Sequence, residues 1–338
     1  MNVKRLEKMC RCFGVSSSEI FVREILINSF NSLCDEIKTD KLGSCFGVKK
    51  SKNKNNAKTL MIASSLDEVG FIISEINSDG TLSFITLENV DLSSLLYQRV
   101  NILTRCDKLV TGVIMSKVSI LENFNTNLKI NDLYIDINKG EEDVRKIITI
   151  GDLVGYCPNF YLEDNNIYSK ALFPRVLNEV IISVLEKIKD KEYDFDIAIG
   201  GVAQSVIGFR GSQTITNVIK PDIAIALTGF DANVLKHEFT NSGVLSYYDR
   251  QMLPNKLMVE EALNITKFKP CISSLGNDGS FIHKTLDGCP TISLGLKINN
   301  MGSSNEIINS TDVEKLSNGI IDYIDFLSNE KIEKYCGK

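Results

Sequence analysis

The sequence predicts a mixed α/β domain that is interrupted by a small β-barrel. Apolar residues recur at helical spacing near the start of the chain and again after residue 170, and both regions alternate helical segments with strand-like runs. Between them, residues 69–160 contain short strand-like runs separated by Gly, Asn and Asp, with almost no helical periodicity. We therefore expect residues 1–68 and 163–338 to form one discontinuous α/β domain around an inserted barrel of residues 69–162.

The segment before the insert is predicted to contain one helix and two strands. Residues 16–19, Ser-Ser-Ser-Glu, have the pattern of a capping box, and apolar residues at helical spacing follow them. Residues 46–48 and 60–63 are strand-like, and the second run leads through the stretch ASSLDEVGF into Asp67 and Glu68. A buried strand that delivers carboxylates to its C-terminal end is a common start for a metal or acid/base site.

Helical spacing of apolar residues and short strand-like runs also predict the remaining elements. Residues 69–76 and 81–87 flank a Ser-Asp-Gly turn and predict a hairpin. Residues 175–189 predict an amphipathic helix, and residues 311–334 predict one long closing helix. The other predicted elements are strands at 100–104, 109–114, 133–137, 153–156, 196–199, 222–227, 270–274 and 291–296, and helices at 141–146 and 255–265.

Composition excludes several classes of function. The 338 residues carry a net charge of −5, so there is no basic surface for nucleic acid. We see no apolar signal segment and no apolar run near the roughly 20 residues of a membrane span, so we expect no membrane association. The nine cysteines are scattered and odd in number, which favours a reducing cytoplasm over a disulfide framework.

Histidine is the most informative residue type, because the chain has two, His237 and His283. So few imidazoles limit any metal site or Ser/His catalytic site. Cys10 and Cys12 form the closest cysteine pair, but they lack the spacing and the second pair of a zinc site.

A series of short motifs runs through almost the whole chain. In chain order they are VRE at 22–24, DKLG at 40–43, SLDEVGF at 65–71, YQRV at 97–100, GVI at 112–114, DLYID at 132–136, IGD at 150–152, KAL at 170–172 with Arg175, GFRG at 208–211, PDIAIA at 221–226 and GND at 276–278.

In this order the motifs resemble those of the M42 metallo-aminopeptidases, the family of glutamyl aminopeptidases that also includes proteins named endoglucanases. The resemblance implies a zinc-peptidase-like (phosphorylase/hydrolase-like) α/β/α domain with a β-barrel insert that serves dimerisation. It also implies peptide hydrolysis by two divalent ions such as zinc or cobalt, with a glutamate as general base. Members of the family assemble into dimers and into tetrahedral shells of twelve subunits.

The resemblance also implies where the metal ligands should lie, and this chain has other residue types there. The six aligned positions hold other residues: the first histidine falls on Ser65, the bridging aspartate on Phe173, the general base on Ser205, the next glutamate on Val206, the aspartate after the PDIAIA strand on Thr228 and the last histidine on Gly302. Asp67 keeps an acid that supports the site in the family without binding metal. We therefore predict that this chain has no metal site and no metal cofactor, with Asp67 and Ser205 as vestiges of the catalytic site.

Other residues at the predicted cleft have more than one interpretation. Arg175, Gln204 and Asp278 match non-ligand positions of the family, where they could bind a peptide terminus or hold the fold. Asp67 and Glu68 could act as an acid/base pair, but neighbours on a strand point to opposite faces, which favours a structural role for Asp67. Ser65 and Ser205 lack a histidine base and a nucleophile-elbow motif.

The sequence thus predicts a non-catalytic M42 protein with an assembly, regulatory or peptide-binding role. The expected partners are further copies of the chain, from a dimer to a dodecamer, or an active paralogue, and peptides. The alternative is an active aminopeptidase or glycosidase with an altered site. A glycosidase would need a pair of carboxylates, for which Asp67 and Asp278 are the candidates.

Overall fold

The computed structural model describes residues 1–52, 56–117, 128–233, 235 and 241–337. In chain order the strands are β1 (Glu36–Thr39), β2 (Cys45–Lys49), β3 (Thr59–Ser65), β4 (Gly70–Ile76), β5 (Leu82–Thr86), β6 (Arg99–Leu103), β7 (Leu109–Ser116), β8 (Leu133–Asp136), β9 (Leu153–Tyr156), β10 (Tyr161–Glu163), β11 (Asn166–Ser169), β12 (Asp196–Val202), β13 (Ile223–Asp231), β14 (Val244–Ser246), β15 (Lys269–Cys271), β16 (Thr291–Ile298) and β17 (Glu306–Asn309). The helices are α1 (Val3–Arg11), α2 (Ile20–Leu33), α3 (Glu141–Ile147), α4 (Leu172–Ile188), α5 (Arg210–Ile219), α6 (Lys256–Thr266), α7 (Gly279–Ile282), α8 (Ser310–Phe326) and α9 (Asn329–Tyr335).

An eight-stranded sheet forms the centre of the larger part of the molecule, in the order β1-β2-β12-β3-β13-β16-β14-β15. Its central strands β12, β3, β13 and β16 are parallel neighbours. Alternate residues of β3 enter two different cores: Leu60 and Ile62 pack in the cluster that includes α4 and α8, whereas Met61 and Ala63 pack with α5 and α7. Helices therefore cover both faces, which explains the nearly continuous apolar sequence of the strand. The predicted α/β/α architecture is confirmed.

The insert is a closed barrel with the strand order β4-β5-β8-β7-β6-β9. Its core is separate from that of the sheet and is filled by residues such as Phe71, Ile102 and Ile135. Closure pairs each of these six strands on both sides, so the described part of the barrel has no unpaired strand edge. The predicted β-barrel is confirmed, whereas the domain limits at residues 68, 69, 162 and 163 stay a prediction. Among the described residues, no helix is long and apolar enough to cross a membrane.

Two local predictions were wrong. Residues 16–19 do not form a capping box: Glu19 is the N-cap of α2 and its side chain does not cap the helix. The Ser16 hydroxyl instead donates to Asp67, a contact that local pattern cannot reveal. The predicted closing helix is two helices, because α8 ends at Phe326 and the Ser328 side chain caps α9.

A buried ion pair joins the two chain segments that connect the sheet to the barrel. Glu68 lies on the outgoing segment and Lys170 on the returning one, and Lys170 Nζ is 2.5 Å from Glu68 Oε2. The two side chains are 2% and 1% exposed. Lys170 also donates to the Cys12 carbonyl, and the Gly14 amide donates to Glu68. Because charges this deeply buried must be paired, this contact fixes how the two segments cross.

We expect Glu68→Gln to lower the free energy of unfolding by about 3–5 kcal/mol, because it leaves the Lys170 ammonium buried without its partner. Urea unfolding of the purified chain measures the change. The matched control is Glu192→Gln, which removes an exposed ion pair with Lys52 and should change stability by less than about 0.5 kcal/mol. Equal effects of the two substitutions would contradict a stabilising role for the buried pair of Glu68 and Lys170.

Candidate functional site

The candidate site lies where the parallel strands β12, β3 and β13 end. Ser65 is the last residue of β3, the segment 203–209 follows β12, and Thr228 lies in the second half of β13. In α/β sheets, ligands bind at the carboxyl ends of the strands. Hydrogen bonds link most of the predicted site residues into two groups at this edge.

The first group is centred on Asp67, which has no exposed surface. Its carboxylate accepts hydrogen bonds from the Ser16 hydroxyl at 2.5 Å and from the Ser205 and Val206 amides, both at 2.9 Å. The preceding amide, that of Gln204, donates to Glu19 at 3.0 Å. Three consecutive amides after β12 are therefore held by carboxyl groups from two other parts of the chain.

Asp278 lies beside Asp67 and is held by serine hydroxyls. Its carboxylate accepts from Ser65 at 3.1 Å, from Ser205 at 2.8 Å and from Ser212 at 2.5 Å. Ser205 joins the two aspartates, because its amide donates to Asp67 and its hydroxyl to Asp278. The sequence alone gave no reason to place these two carboxylates together.

Both aspartates have raised pKa values. Burial raises the pKa of Asp67 to about 7, with a smaller upward contribution from the Glu19 carboxyl, against the lowering effect of its hydrogen bonds to Ser16, Val206 and Ser205. Burial also raises the pKa of Asp278, and its serine partners oppose that effect. A serine hydroxyl can accept a hydrogen bond as well as donate one, so these partners can satisfy either aspartate with or without its proton.

The second group is centred on Glu306, which is 2% exposed. Its carboxyl accepts from the Phe173 amide at 2.8 Å and from the Gly302 amide at 2.7 Å. Phe173 lies in the first turn of α4, where an acidic group also interacts favourably with the helix dipole. Burial raises the pKa of Glu306 to about 7. Phe173 and Gly302 are thus brought together through one carboxyl group.

Arg175 and Glu68 are engaged with each other and with partners outside the two groups. Arg175 is fully buried: it donates to the Leu66 carbonyl, and its Nη2 is 3.6 Å from Glu68 Oε1. Asn178, one turn further along α4, donates to the Ser65 carbonyl at 3.0 Å. Side chains of α4 therefore hold the carbonyl groups at the end of β3. These are the contacts that a structural role requires, and they leave neither Arg175 nor Glu68 open to a ligand.

The donors at this edge do not include an evident metal cluster. Within the described residues, no group of three or more His, Cys, Asp and Glu side chains could hold a metal ion. His283 Nδ1 lies 2.9 Å from the Gly279 carbonyl on α7, and His237 lies outside the described residues. Thr228 is 7% exposed, and its hydroxyl donates to the Gly229 carbonyl at 3.4 Å.

Sequence reasoning missed four residues that organise the site: Ser16, Glu19, Ser212 and Glu306. The sequence pattern predicts that Ser16 and Glu19 belong to a helix cap. Glu306 ends the stretch Met301-Gly-Ser-Ser-Asn-Glu, which aligns with the family's last histidine motif, so its position in that motif was an available signal. Ser212 carries no local signal, because it lies inside α5 and reaches Asp278 only in the folded chain.

Comparison with known proteins agrees with this architecture of an eight-stranded sheet with a barrel insert. The M42 glutamyl aminopeptidase family matches residues 43–318, and the chain belongs to this family. It is 29% identical to the glutamyl aminopeptidase of Lactococcus lactis over 313 residues, which cover 87% of each chain.

Two solved structures share the fold. The TET aminopeptidase of a marine sediment archaeon of the Thaumarchaeota superposes with a TM-score of 0.91 at 26% identity, over 98% of this chain and 99% of that one. A TET peptidase of Pyrococcus horikoshii, described as able to assemble into a tetrahedron or a large octahedral shell, has a TM-score of 0.84 at 21% identity, over 95% and 98%. The predicted resemblance to the M42 family is confirmed.

We expect the stability contributed by Asp67 to decline as the pH rises from about 4 to about 7. Its pKa is raised on folding from an ordinary 3.8 to about 7, so the folded chain holds the proton more tightly than the unfolded chain. The stabilisation is complete below the unfolded pKa and is lost as the pH passes through the folded one. The test compares urea unfolding of the wild type and Asp67→Asn across this range.

The free energy of unfolding of the wild type minus that of Asp67→Asn should fall steadily from pH 4 toward pH 8, because only the wild type loses the stability that this proton contributes. The control is Glu24→Gln on the exposed side of α2, whose difference from the wild type should not follow this course. A wild-type–Asp67→Asn difference that is constant with pH would show that Asp67 does not titrate in this range.

Proposed function

We propose that this chain is an M42-family protein without the two-metal site, and that it does not act as a metallopeptidase. The observation that carries the proposal is that side chains at the aligned ligand and general-base positions are engaged within the chain: Ser65 and Ser205 donate to Asp278, and the Phe173 ring packs over Gly229. In all, four serine hydroxyls and two backbone amides donate to the carboxyl groups of Asp67 and Asp278. Ion binding would have to break this network.

The donor chemistry of the aligned positions supports the same proposal. Catalytic zinc is bound by imidazole, carboxylate or thiolate groups. The six positions where the family resemblance predicts ligands or the general base supply two serine hydroxyls, one threonine hydroxyl, a phenyl ring, an isopropyl group and a glycine. Even the loss of one supporting partner costs roughly 10–100-fold in metal affinity or activity. A divalent ion gains too little from such a set to offset its loss of water.

The alternative of an altered hydrolase receives less support from the geometry. A glycosidase needs two carboxyl groups about 5–10 Å apart that flank the scissile bond. Asp67 and Asp278 are 0% and 2% exposed and share Ser205 as a donor, which leaves no room for a sugar between them. Ser65 and Ser205 are 4% and 2% exposed and donate to a carboxyl group that is buried with them, which leaves neither hydroxyl open to a substrate.

We further propose that the chain acts through assembly, either with copies of itself, from a dimer to a dodecamer, or with an active paralogue. The support is the shared fold with a TET peptidase described as forming closed shells. An inactive subunit in such a particle would have a structural or regulatory role. Peptide binding at the former cleft is the third role that the sequence left open.

Metal content tests the proposal first. We expect a zinc stoichiometry near zero, by plasma mass spectrometry, for protein that is equilibrated with Zn²⁺ and then dialysed. Aminoacyl-anilide and oligosaccharide substrates should show no turnover with added Zn²⁺, Co²⁺ or Mn²⁺. The glutamyl aminopeptidase of Lactococcus lactis, handled in parallel, is the positive control for the peptidase assay.

About two zinc ions per chain would contradict the proposal, because that is what a two-metal hydrolase holds. Turnover that disappears in Asp67→Ala would also contradict it and would favour the altered hydrolase. Turnover that is unchanged in Asp67→Ala and is removed by further purification would be a contaminant and would leave the proposal standing.

We expect the purified chain to form particles of at least twice its 37.7 kDa mass in light scattering coupled to size exclusion. The physical reason is that a family fold built around a barrel insert presents a second surface for association besides the sheet domain. A monomer at micromolar concentration would contradict self-assembly and leave association with an active paralogue as the arrangement to test by co-expression.

A further inference from the structure

Phe173 and Met301 pack against a glycine in the central sheet, at the edge where the candidate site lies. We propose that the chain occupies its own former site: Phe173 and Met301 form an apolar plug over Gly229 of β13 that keeps peptide ends out. This inference rests on the proposed function, because a plug at this place is meaningful only if no ions are bound there. It goes further by naming what fills the space.

Gly229 shows how tight the packing is. A Cβ atom added to Gly229 would lie 2.7 Å from Phe173 Cδ2, 2.8 Å from Ile298 Cδ1 and 3.2 Å from Met301 Sδ. Carbon atoms that are not bonded pack at about 3.5–4.0 Å, so the ring lies where an ordinary side chain at 229 would begin. Gly229 lies inside a β-strand, where the backbone accepts any L-residue. The glycine is therefore required by the Phe173 ring and the Ile298 side chain and not by the backbone.

Glu306 holds the two segments that supply the plug. Its carboxyl accepts the amide of Phe173 at the start of α4 and the amide of Gly302, the residue that follows Met301. Ala171 enters α4 with a left-handed φ of 55°, which sets the direction of the first turn. One buried carboxyl group thus positions both the ring and the thioether over Gly229.

The plug changes what the cleft can bind. Phe173 and Thr228 lie at positions where the family resemblance predicts metal ligands, and a peptide amine would need polar partners there. An ammonium group placed against a phenyl ring and a thioether without hydrogen bonds would lose its hydration uncompensated. Of the three roles that the sequence left open, the plug therefore disfavours peptide binding at this cleft and favours roles that use the outer surface.

A double-mutant cycle tests the plug. Gly229→Ala should destabilise the wild type, because the new methyl group displaces the Phe173 ring, and should be less destabilising in a Phe173→Ala background, where the contact with Ile298 remains but the ring is gone. We expect the two substitutions to be coupled by about tenfold or more in the unfolding equilibrium constant. Gly140→Ala is the matched control, since nothing lies within 4 Å of its added Cβ, and its effect should be equal in both backgrounds.

Equal effects of Gly229→Ala in the two backgrounds would overturn the plug. If Phe173→Ala does not fold, the cycle is run with Met301→Ala, whose thioether touches the same position and where the same sign of coupling is expected. Zinc content, measured on the wild type, separates the two proposals. Bound zinc refutes the proposed function, whereas zero zinc with additive substitutions refutes the plug alone.

Discussion

The buried pair of Glu68 and Lys170 is the constraint on which the geometry of this molecule depends. It joins the segment that leaves the sheet for the barrel to the segment that returns, and neither charge has access to water. Arg175 extends the contact by donating to the carbonyl of Leu66. Because Glu68 is committed to this side, its neighbour Asp67 is directed to the other side, toward the end of β12. The ion pair thus determines where the candidate site can form.

The buried carboxyl groups near the end of β3 have two kinds of partner. Glu68 is matched by cations, whereas Asp67, Asp278 and Glu306 receive hydrogen bonds from amides and serine hydroxyls. Buried carboxyls with neutral partners have raised pKa values, and hydroxyls can follow a change of protonation by rotating. A polar network of this kind can be satisfied without an ion. That property makes a metal-free version of the family's site physically reasonable.

Much of the fold could be predicted because local periodicity reports burial. The apolar run of β3, the hairpin of β4 and β5 and the helix α4 all follow from it. Two serines show the limit of prediction from local pattern. Ser16 suits a helix cap in the sequence, yet its hydroxyl donates to Asp67. Ser328 caps α9 within a segment whose periodicity predicts one continuous helix. Competition between a local and a tertiary partner for one hydroxyl group is not encoded in the nearby sequence.

The candidate site could be predicted only in part for a related reason. Motif order indicated which residues stand at the aligned ligand positions, because each motif is short and contiguous. What those residues contact depends on pairs far apart, such as Asp67 with Ser205, 138 positions away, and Phe173 with Glu306, 133 positions away. The requirement for glycine at 229 likewise becomes visible only once the Phe173 ring lies over it.

The most direct test of the central claim is a crystal structure of the protein soaked in Zn²⁺, with anomalous scattering recorded at the zinc edge. The account predicts no anomalous peak at the carboxyl ends of β3, β12 and β13, with the ring of Phe173 over Gly229 and serine hydroxyls on Asp278. Two anomalous peaks a few ångströms apart at this edge, with Phe173 displaced, would contradict it and would identify a working two-metal site.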